Sequence, residues 1–368
     1  MKVPLLDLKP QYAQIKDKIV PELLSIFESQ GFILGPKVEN LEKEMAEYIG
    51  VKHTLGCSSG TDALLLALMS LDIKTGDEVI TTPYTFFATA GSIARTGATA
   101  KFVDIDPATF LMNVNQIEEK ITPKTKAIIP VHLFGQCVDM EPLMAIAKKH
   151  NLAVIEDAAQ AIGAEYKGKQ AGTFGNVGCF SFFPSKNLGC FGDGGLVSTN
   201  CDKTYERMKG LRVHGGQVQY QHQEVGMNAR LDAIQAAVVS IKLPFLKSWT
   251  EGRRKNASIY NELFKDNKKV ITPKAKDNCY HIYNQYVIRV EGNRDALKAH
   301  LAEKEIGCSV YYPLSLHQQP CFKYLGYKAG DFPESEKAAA TSIALPIYPD
   351  LTKEQIEYVA ETINKYLK

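Results

Sequence analysis

The stretch from Lys126 to Asp157 decides the fold: Lys126-Ala-Ile-Ile-Pro-Val131, then Met140-Glu-Pro-Leu-Met-Ala-Ile-Ala-Lys-Lys-His150, then Leu152-Ala-Val-Ile-Glu-Asp157. Two short β-branched runs flank a segment of helical period, and that segment is long enough to carry the chain back for a second, parallel strand. The pattern repeats outward. Glu78-Val-Ile-Thr-Thr82 and Ala100-Lys-Phe-Val-Asp104 are further strand candidates, and Thr61 to Leu71 and Tyr84 to Arg95 are crossover helices. Alternation of this kind, from about residue 50 to residue 200, marks an α/β protein with a mostly parallel sheet covered by helices.

Glycine-rich segments follow, Gly172 to Gly178 and Gly189 to Gly195, and then a helical stretch from Arg230 to Leu243 that ends near Pro244. From about Trp249 the style changes. A long polar helix, an aromatic strand Asn284-Gln-Tyr-Val-Ile-Arg-Val290, a helix from Arg294 to Lys304 and a closing helix from Lys353 to Leu367 predict a smaller α+β domain. The expected division is a large domain over 1–247 and a small one over 248–368.

With 43 Lys and Arg against 41 Asp and Glu, the net charge of +2 argues against an electrostatic nucleic-acid or membrane-surface role. The longest apolar stretch on a helical pattern, Ala63 to Met69, falls far short of the roughly 20 residues that span a bilayer. Asp7 and Pro10 interrupt the start of the chain before a signal-peptide apolar region develops, so the expected location is cytoplasmic. Eight scattered cysteines without a CxxC pair predict reduced, mostly buried thiols. The eight histidines form no HExxH or other helix-spaced pair, so no metal is expected.

Two nucleotide signatures fail. Gly163-Ala-Glu-Tyr-Lys-Gly168-Lys169-Gln170 has P-loop spacing, yet Gln170 stands where the Mg²⁺-binding hydroxyl belongs. Gly189-Cys-Phe-Gly192-Asp-Gly194-Gly195 is not a GxGxxG turn after an early strand, which leaves an NAD-dependent dehydrogenase as a distant alternative.

A coherent set emerges at the strand ends, where open α/β sheets bind ligands. Cys57-Ser-Ser-Gly60-Thr61-Asp62-Ala63 opens an apolar helix whose backbone N–H groups suit a phosphate; an ordinary N-cap by Ser59 or Thr61 is the plain alternative. Asp157 ends the buried run Leu152 to Ile155, where its plain role is to cap the next turn. Lys186, 29 residues on, lies among aromatics, Pro184 and glycines, surroundings that lower an amine's pKa and suit a Schiff-base lysine. Together they match pyridoxal 5′-phosphate, which needs an anion cradle, an acid at its pyridine nitrogen and a lysine at its aldehyde carbon.

On these residues the chain resembles the DegT-type sugar aminotransferases, fold-type I pyridoxal phosphate enzymes with a three-layer α/β/α large domain and a smaller C-terminal one. The likeness runs through Pro4-Leu-Leu-Asp-Leu, Ser59-Gly-Thr-Asp-Ala, Gly76-Asp-Glu-Val-Ile-Thr, Pro83-Tyr-Thr-Phe-Phe-Ala-Thr, Glu156-Asp-Ala-Ala-Gln, Ser181-Phe-Phe-Pro-Ser-Lys-Asn-Leu-Gly, Gly192-Asp-Gly-Gly, Asn228-Ala-Arg-Leu-Asp and Tyr312-Pro-Leu. It implies Lys186 as the Schiff-base lysine, Asp157 as the pyridinium partner, and Gln160 near the ring's phenolic oxygen. Phe86 would stack on the ring. Gly60, Thr61 and Ser181 would hold the phosphate, with Asn228 reaching across from the second subunit of a homodimer.

The resemblance further implies L-glutamate as donor, pyridoxamine phosphate between the half-reactions, and a nucleotide-linked ketosugar as acceptor, for bacterial surface glycans. The run from Tyr220 to Asp232 is most similar to members that aminate C3 of a UDP-linked 2-acetamido-2-deoxy-ribo-hexuluronate, where Arg230 would pair with the C6 carboxylate. Tyr311, Tyr312 and His317 join Arg230 as expected substrate residues. Those members carry His-Tyr-Pro where this chain has Tyr311-Tyr312-Pro313, so a UDP-linked 3-ketohexose without the carboxylate stays open, as does a dTDP-linked 3- or 4-keto-6-deoxyhexose. A non-enzymatic regulator on the same fold is the remaining alternative.

Overall fold

A computed structural model describes every residue except 217 and 219. The strands run β1 His53–Cys57, β2 Glu78–Thr81, β3 Thr99–Phe102, β4 Thr125–Ile128, β5 Ala153–Asp157, a short hairpin β6 Glu165–Tyr166 and β7 Lys169–Gln170, then β8 Val177–Ser181 and β9 Gly195–Thr199. Seven of them form one sheet in the order β1-β9-β8-β5-β4-β2-β3. β9 alone runs against the other six. The central strands are buried almost throughout, as strands covered on both faces must be.

Helices cover both faces: α1 Lys9–Ser29, α2 Pro36–Ile49, α3 Gly60–Ser70, α4 Ala88–Arg95, α5 Met140–Lys149, α6 Asp202–Leu211 and α7 Ala233–Lys242. α1, α2, α5 and α7 pack on one side, around Leu41, Met45, Leu143 and Val238. On the other side α3, α4 and α6 enclose Leu64, Leu66, Ile93 and Met208. The expected three layers are present. Among the described residues no helix is long and apolar enough to cross a membrane.

Several strands and helices differ from the sequence reading. α1 and α2 went unread, although Pro36 opens α2 and Gly50 ends it in a left-handed conformation. β8 and β9 lie within and beside segments read only as glycine-rich. The helix expected from Tyr84 starts at Ala88, because the Pro83 carbonyl accepts the Leu316 N–H and the Tyr84 hydroxyl bonds Ser342 Oγ at 2.6 Å, which ties 83–87 into a turn. The helix expected from Arg230 starts at Ala233; Asn228 and Arg230 pair instead with Val213 and Cys57. The stretch with P-loop spacing is the β6–β7 hairpin, turned by Lys167 and Gly168 with positive φ.

The rest of the chain is α8 Leu246–Phe264, β10 Val270–Ile271, β11 Cys279–Tyr280, β12 Tyr286–Val290, α9 Arg294–Glu303, α10 Pro333–Thr341, β13 Ser342–Leu345 and α11 Lys353–Tyr366. β10, β12 and β13 form a second sheet, while β11 joins the β6–β7 hairpin. α8, α9 and α11 share with that sheet a separate core, which also takes in Val3. The eight cysteines are free, and four of them, Cys57, Cys137, Cys179 and Cys190, are buried.

Candidate active site

The ends of the parallel strands and the start of the reversed β9 meet at one edge of the sheet. A cavity of about 430 Å³ opens there, and Lys186, Asp157, Gly60, Thr61, Phe86, Gln160, Ser181, Tyr311 and Tyr312 all line it.

Asp157 is the last residue of β5, at the middle of the sheet. Its backbone N–H donates to the Pro130 carbonyl and its own carbonyl accepts the His132 N–H, so the residue cannot shift along the strand. Its side chain is both cap and site. Oδ1 accepts the Ala159 N–H at 3.2 Å, while Oδ2 accepts from Thr89 Oγ1 at 2.7 Å. Burial pushes this carboxyl above the usual range, against the pull of the Thr89 and Ala159 bonds and of the Lys186 charge.

Lys186 sits on a turn from Phe182 to Cys190, closed where the Cys190 N–H meets the Phe182 carbonyl at 2.8 Å. Lys186 lines the cavity, and desolvation there holds its amine down to about 8, with the Asp157 carboxylate pulling the other way. An amine near 8 is a usable nucleophile and base at neutral pH.

The anion cradle follows from α3. Ser59 Oγ accepts the Asp62 N–H at 3.1 Å, which caps the helix and leaves the N–H groups of Gly60 and Thr61 at the cavity with the positive end of the dipole. The helix comes this close only because residue 60 is glycine. A Cβ there would lie 2.7 Å from Ser181 Cβ. Gly60→Ala is therefore expected to weaken pyridoxal phosphate binding by about tenfold, or ~1.4 kcal/mol, in a titration of the apoprotein; unchanged affinity would remove the cradle from the account.

Phe86 is 60% exposed at the cavity, in the turn before α4. It is no core aromatic on a helix face. Gln160 Oε1 accepts the Phe134 N–H at 2.6 Å and Nε2 donates to the Tyr312 hydroxyl at 2.9 Å, which leaves one amide hydrogen for a ligand. Burial raises the Tyr312 phenol, so it stays a neutral donor. An anion cradle, a buried carboxylate and a depressed lysine in one cavity fit pyridoxal phosphate.

Three expected residues lie apart. Asn228 and Arg230 line an adjoining depression with Ser58 and Asp193, and Asp193 borders both spaces. His317 does not join the cavity: the segment around it is tied to the Pro83 carbonyl, and its buried ring meets Glu336 at 3.0 Å and Phe332 at 4.8 Å between centroids.

Among the site residues given no role from the sequence are Thr89 and His132, beside Thr85, Ser185 and Gln285 on the cavity wall. Thr89 closes the stretch Pro83-Tyr-Thr-Phe-Phe-Ala-Thr, but nothing in that stretch marks it as the residue that braces Asp157. His132 had a signal in the pair Glu156-Asp157, since adjacent strand residues face opposite ways and a buried acid facing away from the site needs partners of its own. Glu156 has four. It accepts N–H groups from Gly172, Phe174 and Gly175 at 2.7 to 2.8 Å and meets His132 Nε2 at 3.0 Å. His132 Nδ1 accepts the Val138 N–H, so Nε2 carries the proton and donates.

The sequence has close relatives along its full length. The family model described as DegT/DnrJ/EryC1/StrS aminotransferase matches residues 13–364. A "Pleiotropic regulatory protein" of Geobacillus stearothermophilus is 52% identical, covering 100% of this chain and 99% of the relative. A UDP-N-acetyl-3-dehydro-α-D-glucosamine 3-aminotransferase of Acidithiobacillus ferrooxidans is 43% identical over 99% of this chain and 98% of the relative. A UDP-2-acetamido-2-deoxy-3-oxo-D-glucuronate aminotransferase of Pseudomonas aeruginosa is 40% identical over 98% and 99%. Among solved structures, Streptomyces venezuelae DesV superposes with a TM-score of 0.97 at 36% identity, covering 100% of this chain and 99% of that one. NtdA of Bacillus subtilis with bound cofactor PMP superposes with a TM-score of 0.91 at 30% identity, covering 100% and 85%. The chain belongs to the DegT/DnrJ/EryC1/StrS aminotransferase family.

Proposed function

We propose that this protein is a pyridoxal phosphate-dependent aminotransferase that moves the amino group of L-glutamate to the 3-keto carbon of a UDP-linked 2-acetamido-2-deoxy sugar. One observation carries the reading: Lys186 and Asp157 share a buried cavity beside a helix start that only glycine allows to approach. The names of the relatives from A. ferrooxidans and P. aeruginosa support the 3-ketosugar part.

Bound in the cavity, pyridoxal phosphate supplies an electron sink for charge developing at the donor's Cα. The protein's own residues do the positioning and the proton transfers. Asp157, braced by Thr89 and the Ala159 N–H, would hold the ring nitrogen in its protonated form. Gln160 would offer its remaining amide hydrogen to the phenolic oxygen. Lys186, the amine on the cavity wall, would hold the cofactor's aldehyde and, once free, would serve as the base that takes the proton from the donor's Cα and as the acid that returns one on the ketosugar.

A second copy of the chain completes the site in this reading. Tyr12, Val20, Leu24 and Phe27 on α1, with Ile33 and Phe191, leave large apolar side chains exposed, as a surface awaiting a partner does. Asn228 and Arg230, which do not line their own chain's cavity, would then serve the neighbouring one, Asn228 at the phosphate and Arg230 at the sugar. A panel of UDP- and dTDP-linked 3- and 4-ketosugars tests the substrate: a UDP-linked 3-ketosugar is expected to turn over fastest. If the preferred sugar is the uronate, Arg230→Ala lowers its kcat/KM by roughly 10- to 100-fold, the worth of a charged hydrogen bond. Equal uronate activity in the variant ends the pairing of Arg230 with the carboxylate, and a preference for a dTDP sugar ends the UDP reading.

A further inference from the structure

Lys242 is a buried lysine that the chemistry above does not use. It closes α7, is 4% exposed, and makes no ion pair with a carboxylate among the described residues. Its Nζ donates to the Gly189 carbonyl at 2.6 Å and lies 4.7 Å from the centre of the Phe191 ring. The ionisable group facing it is the Cys190 thiol, which burial pushes up to about 11, so at neutral pH that neighbour carries no charge. Burying an ammonium with so little compensation is costly, and its bond fixes the backbone it reaches.

What it holds is the turn that bears Lys186. Gly189 is wedged against that turn: a Cβ on it would lie 2.5 Å from the Pro184 carbonyl oxygen and 2.7 Å from that of Phe183. The Phe183 carbonyl in turn accepts the Lys186 N–H at 2.9 Å. A second contact comes from the same helix. Gln235 Oε1 accepts the Phe191 N–H at 2.8 Å, and Gln235 and Lys242 are seven residues apart, two turns along one face of α7. Contacts therefore run from α7 through Gly189 and the Phe183 carbonyl to Lys186, and from α7 to Phe191, two residues before Asp193 at the cavity wall.

We infer that Lys242, assisted by Gln235, is a positioning residue that clamps the Phe182–Cys190 turn and so keeps the Lys186 amine enclosed beside Asp157. This rests on Lys186 being the reactive lysine, and its test does not need turnover. The apoprotein is reductively methylated with formaldehyde and cyanoborohydride across a pH series, and labelling of Lys186 is followed by peptide mass spectrometry. In the wild type the midpoint for Lys186 falls near 8, where its enclosure places it.

Lys242→Met removes the ammonium at nearly constant volume, and Gln235→Leu removes the second contact without changing charge. Both are expected to raise the Lys186 midpoint toward that of an ordinary lysine, Lys242→Met by a unit or more and Gln235→Leu by less. Lys242→Gln, which keeps a donor, is expected to recover part of the shift. In the loaded enzyme kcat falls about tenfold or more in Lys242→Met with KM for L-glutamate within about twofold. If Lys242→Met does not fold, Gln235→Leu and Lys242→Gln carry the test. Midpoints at the wild-type value in every folded variant overturn the inference and leave Lys242 a structural lysine; a wild-type midpoint for Lys186 near 10.5 overturns instead the reading of Lys186 on which it rests.

Discussion

Lys186→Ala leaves a folded protein that shows no lysine-bound visible band with pyridoxal phosphate and transaminates at least about 10³-fold more slowly than the wild type, measured as single-turnover reaction with L-glutamate. The size follows from the two tasks that fall on one amine: it holds the cofactor aldehyde, and it moves the proton between Cα and C4′. Among the described residues no other amine lines the cavity. The pH dependence has a definite sign. Burial depresses the Lys186 amine to about 8, and only the neutral amine captures the aldehyde, so capture by the apoprotein rises with pH and levels off above about 8. About a tenth of the amine is neutral at pH 7, where an ordinary lysine near 10.5 would be roughly 300-fold less available. A capture rate still climbing steeply at pH 9.5 would mean that Lys186 is not enclosed as described.

Asp157→Asn is the second large effect. The substitution keeps the shape and an acceptor for Thr89, yet removes the charge that keeps the ring nitrogen protonated, and kcat is expected to fall by roughly 10²- to 10⁴-fold while cofactor binding drops much less. Thr89→Val moves in the same direction by a smaller amount. It takes away a bond that favours the ionised carboxyl, so the Asp157 pKa, already raised by burial, rises further and the acid limb of the kcat profile moves to higher pH. A kcat for Asp157→Asn within fivefold of wild type would separate Asp157 from the chemistry.

β2 to β5 and the site came through in the sequence because both rest on local signals. Buried parallel strands read as β-branched runs and Asp157 ends one of them, while the phosphate turn opens an apolar helix and Lys186 lies among aromatics, Pro184 and glycines. α1 and α2 were hidden for a different reason: they precede the alternating region, and their burial against α7 and β1 is fixed by tertiary packing. β9 was masked by the glycines around it, which serve close approach as well as turning. Thr89, Gln235 and Lys242 lay beyond local reading altogether, because each acts on a partner that the fold brings from 40 or more residues away. His317 shows the opposite failure. A histidine five residues beyond Tyr312 on the cavity wall looked available for substrate, and packing against Phe332 and Glu336 claimed it.

The measurement that tests the central claim most directly is the visible absorbance of the purified protein, loaded with pyridoxal phosphate, before and after L-glutamate and then after a UDP-linked 3-ketosugar. A visible band that L-glutamate bleaches and the ketosugar restores is expected, with none of this in Lys186→Ala. No band after incubation with pyridoxal phosphate, or a band that L-glutamate leaves untouched, would contradict it.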